Sequence, residues 1–168
     1  MIFVTVGEQL PFDRLINAVD EWASVSGEEV YAQIGNSRLT PKTIKYKKNL
    51  DPLEFNESFL AADIIIAHAG MGTIITALEL GKPLLVVPRQ ARFGEHRNDH
   101  QLATAKRFLE QGCISVAFDI PELIEKLESL QDVIKTTRNT KDVKISQKLI
   151  QVIRDFIFDT KENHKKTP

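Results

Sequence analysis

Short apolar runs alternate with amphipathic segments along the first 130 residues of this chain. Continuous β-branched and aliphatic runs are typical of strands buried on both faces, and they occur at residues 2–6, 30–34, 63–67, 84–87 and 114–118, with a shorter run at 44–46. Apolar side chains at helical spacing indicate helices at residues 12–25, 51–62, 72–80, 96–111 and 121–130. This alternation predicts one α/β domain over residues 1–130, a Rossmann-like parallel sheet with helices on both faces.

The pattern changes after residue 130. Residues 131–144 are polar and lack periodicity, which predicts a surface loop. One face of residues 145–160 is apolar, which predicts a C-terminal helix that either packs on the core or docks on a partner. The polar residues 161–168 are typical of a disordered tail.

A glycine-rich turn, His68-Ala69-Gly70-Met71-Gly72-Thr73, joins a predicted buried strand to a predicted helix. Free backbone N–H groups and the positive end of the helix dipole meet there, which suits a phosphate or diphosphate. Gly70 and Gly72 lack side chains that would hold a ligand away from those amides. His68 is placed to face a phosphate or a sugar hydroxyl, and Thr73 either caps the helix or donates to a phosphate.

Other predicted strand ends are expected near this turn. Parallel strands end at one edge of a sheet, and ligands of such folds bind beyond that edge. Gly7, Gly35 and Pro88 each follow a predicted strand. The loops that begin at these residues are therefore candidates for the same binding site.

Composition narrows the choice of partner and compartment. The formal net charge of −1 argues against nucleic acid, whose binding needs a clear basic excess. The single cysteine, Cys113, cannot form an internal disulfide, which fits a reducing cytosol, and its apolar surroundings predict a buried thiol. No secretion signal opens the sequence, and no apolar run approaches the roughly 20 residues that cross a bilayer. We therefore expect a cytoplasmic protein whose contact with membrane is peripheral or through a partner.

Two common phosphate-binding motifs do not fit the glycine turn. A dinucleotide fingerprint needs a third glycine where Ile75 stands, and an acidic residue after the next strand, where the sequence has Pro88 and Arg89. A P-loop lysine must open a helix, whereas Lys82 follows one. The turn therefore predicts a phosphate site of another kind.

A second polar cluster precedes an apolar helical face, and it consists of Pro88-Arg89 followed by Glu95-His96-Arg97-Asn98-Asp99-His100-Gln101. Its place after the next strand brings it toward the glycine turn. His96 and His100 are four residues apart and could share a metal on one helical face, but no third ligand is identifiable, so no metal is expected. The alternative is a solvated helix start that Asn98 or Asp99 helps to cap.

The motifs HAGMGT, LELGKPLLVVPR and EHRNDHQLATAKRF, in this order, resemble the C-terminal, donor-binding half of GT-B glycosyltransferases of family 28. The likeness covers roughly residues 1–130, including Gly7 and the Gln33-Ile34-Gly35 element. It extends to small one-domain members, which are the donor-binding subunits of the eukaryotic dolichol-linked N-acetylglucosaminyltransferase and of PssE-type bacterial exopolysaccharide transferases.

The resemblance implies a split enzyme that takes a UDP-sugar as donor substrate without a cofactor or metal. A membrane-associated partner subunit would supply the acceptor-binding half, and a lipid-linked acceptor would receive a hexose or N-acetylhexosamine. Two groups of residues carry over to the donor: His68, Gly70, Met71, Gly72 and Thr73 for the diphosphate, and Asn98, Asp99, His100 and Gln101 for the sugar. Many relatives have a ribose-binding carboxylate where this chain has Thr76, and the nearest acid here is Glu79.

The general base stays open at this point. Candidates are Glu95, His96 and His100 of this chain, or a residue of the partner. Two other functions also remain: a non-catalytic nucleotide-sugar-binding or regulatory module, and a self-sufficient small enzyme acting on phosphorylated metabolites. Only the second of these would turn over substrate without a partner.

Overall fold

A computed structural model of the protein describes residues 1–130. The expected loop at 131–144, amphipathic helix at 145–160 and disordered tail at 161–168 lie outside the described residues. They stay predictions.

The centre of the domain is a six-stranded sheet in the order β3-β2-β1-β4-β5-β6, with every neighbouring pair parallel. The strands are β1 (Ile2–Thr5), β2 (Val30–Gln33), β3 (Lys45–Lys47), β4 (Ile64–His68), β5 (Leu84–Val87) and β6 (Ser115–Val116). Strands β1, β4 and β5 are built from the apolar runs that the sequence marks as buried. The predicted fold class is confirmed.

Within residues 1–130, four helices connect strands, a fifth helix follows β6, and a short 3-10 turn follows β5 at Ala91–Phe93. The helices are α1 (Asp13–Ser26), α2 (Pro52–Ala61), α3 (Met71–Glu79), α4 (His100–Glu110) and α5 (Ile120–Glu128). Two of them begin with the same device, an aspartate that accepts a backbone hydrogen bond of 2.9 Å from a residue of the first turn. The donor to Asp51 is Glu54 N, and the donor to Asp119 is Glu122 N.

Two apolar cores lie on opposite faces of the sheet. Helices α1 and α5 cover one face, where Phe12 is fully buried against strand residues such as Val4. Helices α2, α3 and α4 cover the other face, where Phe59 and Phe108 are fully buried. Cys113 belongs to this second core, as its apolar sequence context predicted.

The strand order reverses between β1 and β4, and this reversal determines where a ligand can enter. The chain leaves β1 toward β2 on one side, and it leaves β4 toward β5 on the other. The two connections diverge, so a crevice opens beyond the carboxyl ends of β1 and β4. Gly7 and His68 lie at this point, as expected.

One helix begins later than predicted. The sequence pattern placed its start at His96, but α4 begins at His100. Gly94 has a left-handed backbone with a φ of 67°, and Asp99 Oδ1 accepts a 2.8 Å hydrogen bond from Ala91 N. Because these local interactions hold residues 94–99 in a loop, His96 and His100 do not share a helical face, and that expectation was wrong.

Candidate functional site

The site is built around the ring of His68, which lies between two glycines. A Cβ on Gly70 would lie 2.3 Å from His68 Nε2, and one on Gly7 would lie 2.9 Å from His68 Cε1. Gly7 also has a φ of 70°, in the left-handed region that favours glycine. Both glycines are therefore needed to accommodate the ring.

The start of α3 follows directly. Only Ala69 and Gly70 separate β4 from the helix. The first hydrogen bond of the helix, of 3.1 Å, is donated by Ile74 N to Gly70 O. The three amides before Ile74 have no acceptor within the helix. A Cβ on Gly72 would meet nothing within 4 Å, so the space in front of this residue is open. The helix N-terminus is therefore open, and the binding of an anion there stays a prediction.

Thr73 does not cap this helix. Gly70 occupies the capping position, and Thr73 stands three residues later, inside the first turn. The suggestion that Thr73 caps the helix is therefore wrong, because the connection from β4 is shorter than the motif suggests. Its backbone amide stays among those open to an anion.

A cavity of about 430 Å³ opens at the junction of β1, β4 and β5. Its walls come from three loops and the first turn of α4, and they are formed by Val6, Gly7, Glu8, Gln9, Leu10, His68, Gly70, Arg89, Glu95, His96 and Gln101. Six of the predicted site residues are therefore brought to one cavity, although they come from distant parts of the chain.

Burial sets the charge of His68. Desolvation, followed by the nearby positive charge of Arg89, lowers the pKa of His68 from 6.5 to about 4. The ring is therefore neutral at pH 7. Its Nδ1 is buried without a hydrogen-bond partner in residues 1–130. A neutral imidazole adds no charge of its own to the cavity that it lines.

Arg89 forms another wall of the cavity and is only 3% exposed. Its guanidinium donates to Val6 O and Pro11 O, each at 2.7 Å, and lies 4.7 Å from the centre of the Phe12 ring. Burial lowers the pKa of Arg89 to about 10, so the side chain is still a cation at pH 7. Arg89 belongs to the second polar cluster of the sequence, but the sequence pattern assigned it no role at the site.

The carboxylate of Glu95 is hydrogen-bonded by Arg14, which lies 81 residues earlier in the sequence. Arg14 Nε donates to Glu95 Oε1 at 2.8 Å, and Arg14 Nη2 donates to Oε2 at 3.0 Å. Gln90 N also donates to Oε2, at 3.0 Å. The Glu95 side chain is only 7% exposed. A buried carboxylate held by three donors is better suited to fixing the loop than to accepting a proton.

The polar cluster after β5 divides into cavity and surface residues. His96 and Gln101 line the cavity, and Gln101 Oε1 accepts a 3.1 Å hydrogen bond from Arg89 N. Asn98, Asp99 and His100 are exposed and do not line it. Asn98 Oδ1 accepts from His100 N at 3.2 Å and lies 3.1 Å from His96 Nδ1.

The remaining predicted residues lie beside the cavity. Met71, Gly72, Thr73 and Thr76 continue along α3 without lining it. Gly35 follows β2, and a Cβ there would lie 2.4 Å from Gly7 O, so Gly35 supports the Gly7 turn. Within residues 1–130, no three histidine, cysteine or acidic side chains are grouped to hold a metal ion.

Residues 1–157 of the sequence match the glycosyltransferase family 28 C-terminal domain. The chain belongs to this family. The match includes both the cavity-forming loops and the glycine turn, which the sequence resemblance had pointed to.

Family 28 relatives include the UDP-N-acetylglucosamine transferase subunit ALG13 of Homo sapiens, 32% identical over 122 residues, which are 66% of this chain and 10% of that protein. ALG13 of Candida albicans is 29% identical over 119 residues, which are 70% of this chain and 34% of that protein. The chain therefore spans only a small part of the length of these relatives.

Solved structures share the fold. The calicheamicin glycosyltransferase CalG4 has a TM-score of 0.60 at 18% identity, over 83% of this chain and 37% of CalG4. MurG of Acinetobacter baumannii has a TM-score of 0.59 at 16% identity, over 91% of this chain and 49% of MurG. An ALG13 solution structure has a TM-score of 0.55 at 19% identity, over 78% of this chain and 85% of the ALG13 chain. The expected Rossmann-like fold of the GT-B type is confirmed.

Every helix within residues 1–130 is too short or too polar to span a bilayer.

Proposed function

We propose that this chain is the donor-binding subunit of a two-component glycosyltransferase. It binds a UDP-sugar and, with a membrane-associated partner, transfers a hexose or N-acetylhexosamine to a lipid-linked acceptor at the cytoplasmic face of a membrane. The observation that carries this proposal is the open N-terminus of α3 beside the neutral ring of His68, at the point where the sheet order reverses.

The chemistry of sugar transfer suits this arrangement. Breaking the anomeric C–O bond leaves negative charge on the departing diphosphate. Fixed amides at a helix N-terminus stabilise that charge without reorganising, so no metal is required in the proposal. His68, neutral at pH 7, adds a hydrogen bond to the same diphosphate.

The curated relatives favour one donor. ALG13 is named as a UDP-N-acetylglucosamine transferase subunit, and UDP-N-acetylglucosamine is the first donor to test here. Glycan synthesis on a lipid carrier and exopolysaccharide synthesis both use such transfers, and the partner would decide between them.

His96 is the best-placed general base within this chain. It lines the cavity and is half-buried, whereas the carboxylate of Glu95 is fully engaged and His100 lies outside the cavity. A second cavity of about 340 Å³ lies next to the first, and Leu10 and Glu95 line both. Adjoining cavities suit a reaction in which donor and acceptor must meet.

A charge placed at Gly72 tests the diphosphate site. In Gly72→Asp the carboxylate enters open space at the helix N-terminus, so the fold is kept while an anion is repelled. Gly72→Asn is the matched neutral control. We expect NMR titration to show UDP binding by the wild type and by Gly72→Asn, with at least about tenfold weaker binding by Gly72→Asp. Equal affinities would contradict the site.

A transfer assay tests the enzyme. The chain is co-expressed with the product of its neighbouring gene, and transfer from UDP-N-acetylglucosamine to a lipid-linked acceptor is measured. We expect activity from the pair and none from either protein alone. UDP binding without transfer by the pair would instead indicate a regulatory module, and turnover by the single chain would indicate a self-sufficient enzyme.

A further inference from the structure

Arg89 is a buried cation without a carboxylate partner in the described part of the chain. All three hydrogen bonds of its guanidinium go to backbone carbonyls, those of Val6, Pro11 and Glu95. Such a charge is costly to bury unless something else compensates it. Arg89 lines the cavity that His68 and Gly70 also line, and this cavity lies beside the N-terminus of α3, where the proposed function places the donor's diphosphate.

The neighbouring charges compensate Arg89 only in part. The negative charge of Glu95 raises the pKa of Arg89, but both carboxylate oxygens of Glu95 are bonded to Arg14, and the Arg89 guanidinium reaches only the backbone carbonyl of Glu95. Glu8 is exposed, where water screens its charge, and His68 is neutral at pH 7. The cavity wall therefore keeps one fixed positive charge, on Arg89.

Arg89 is held rigidly. Its guanidinium stacks on the Phe12 ring and donates to Val6 O, just after β1. The backbone N–H of Arg89 donates to Gln101 Oε1. Three parts of the chain thus fix one cation at the carboxyl edge of the sheet. A preorganised charge stabilises an anion without the entropy loss of ordering a flexible side chain.

We propose that Arg89 is a fixed cation that strengthens binding of the donor's diphosphate, in addition to the amides of α3. The inference rests on the proposed function, because it assigns a ligand to the same cavity. It differs from a purely structural role, in which Arg89 would only tie the loops after β1 and β5 together.

Charge variants separate the two roles. NMR titrations with UDP, inorganic pyrophosphate and uridine are carried out on the wild type, Arg89→Gln and Arg89→Lys. Arg92→Gln is the matched control, since Arg92 is an exposed arginine outside the cavity wall. We expect Arg89→Gln to bind UDP and pyrophosphate at least about tenfold more weakly, with uridine unchanged. Arg89→Lys, which keeps the charge, should stay within about threefold of wild type for all three ligands.

Two results would overturn the inference. If Arg89→Gln weakened the binding of UDP and of uridine equally, the role of Arg89 would be structural. If Arg89→Gln left UDP binding unchanged, Arg89 would have no role in binding the diphosphate. If Arg89→Gln does not fold, the wild type still decides: the Arg89 Nε–Hε signal must shift with pyrophosphate and stay in place with uridine.

The same titrations distinguish a failure of the proposed function from a failure of the inference about Arg89. If the wild type binds pyrophosphate through Arg89 but shows no affinity for UDP, the donor assignment is wrong and the cation site stands. If the wild type binds UDP while Arg89 does not respond, the donor assignment stands and the inference about Arg89 is wrong.

Discussion

Replacing two nearby glycines with alanine should change stability in opposite directions. A Cβ on Gly70 would lie 2.3 Å from His68 Nε2, whereas one on Gly72 would meet nothing within 4 Å. Gly7 also lies close to this end of the His68 ring, since a Cβ on Gly7 would be 2.9 Å from Cε1 and 3.1 Å from Nε2, so the ring has little room to shift. Gly70→Ala therefore overpacks the site, and Gly72→Ala does not.

The structure gives a magnitude for each variant. Gly72 is a helical residue of α3, and alanine there should stabilise the fold by about 0.5–1 kcal/mol through reduced backbone entropy of the unfolded chain. Gly70→Ala should destabilise it by about 1–3 kcal/mol, the usual range for overpacking in a tightly packed region. The two variants should therefore differ by about 1.5–4 kcal/mol although the added group is the same.

Urea unfolding measures this difference. The single tryptophan, Trp22, packs half-buried against the core around α1 and reports on tertiary structure by fluorescence. We expect the midpoint to rise for Gly72→Ala and to fall for Gly70→Ala, with unchanged slopes. In a His68→Ala background the penalty of Gly70→Ala should disappear, which a double-mutant cycle tests. If Gly70→Ala proved as stable as Gly72→Ala, the ring would not be wedged as described.

Two further predictions concern buried charges. The pKa of His68 is about 4 in the folded protein and 6.5 when unperturbed, so between these pH values the unfolded chain binds more protons than the folded one. The free energy of unfolding should therefore fall by up to about 3 kcal/mol as the pH drops from 6.5 to 4. Unfolding midpoints across this range should show the loss, and His68→Gln should flatten it; parallel profiles would contradict the assignment. Arg14→Met leaves the Glu95 carboxylate buried without its cation and should cost about 3–5 kcal/mol at pH 7. The double variant with Glu95→Gln should recover much of this loss in the same assay, and full wild-type stability of Arg14→Met alone would refute the pairing.

Much of the fold was predictable because its signals are local. Apolar runs located the strands to within about a residue or two, and Asp51 and Pro52 marked a helix start that the structure reproduces. The glycine turn after β4 was also visible, since an open helix start after a strand has a recognisable composition.

The start of α4 was not predictable in the same way. Asp99 directly precedes α4, but its side chain bonds within the loop and does not cap the helix, whereas Asn98 Oδ1 accepts a hydrogen bond from His100 N at the first residue of α4. Asp99 Oδ1 accepts from Ala91 N, eight residues earlier, and this contact exists only once the chain turns at Gly94. A periodic pattern does not record such a competing hydrogen bond.

The sequence by itself determined the order of strands and helices, the two-sided burial of the sheet and the position of the glycine turn, because periodicity and turn chemistry act over a few residues. Only the tertiary structure decided which strands are neighbours, how the His68 ring fits between Gly7 and Gly70, and that Arg14 holds Glu95 across 81 residues of sequence. These contacts depend on the packing of distant segments, and so does the unmatched charge of Arg89 at the cavity. The sequence shows which residues carry a charge, but only the folded structure determines which groups lie close enough to pair with them.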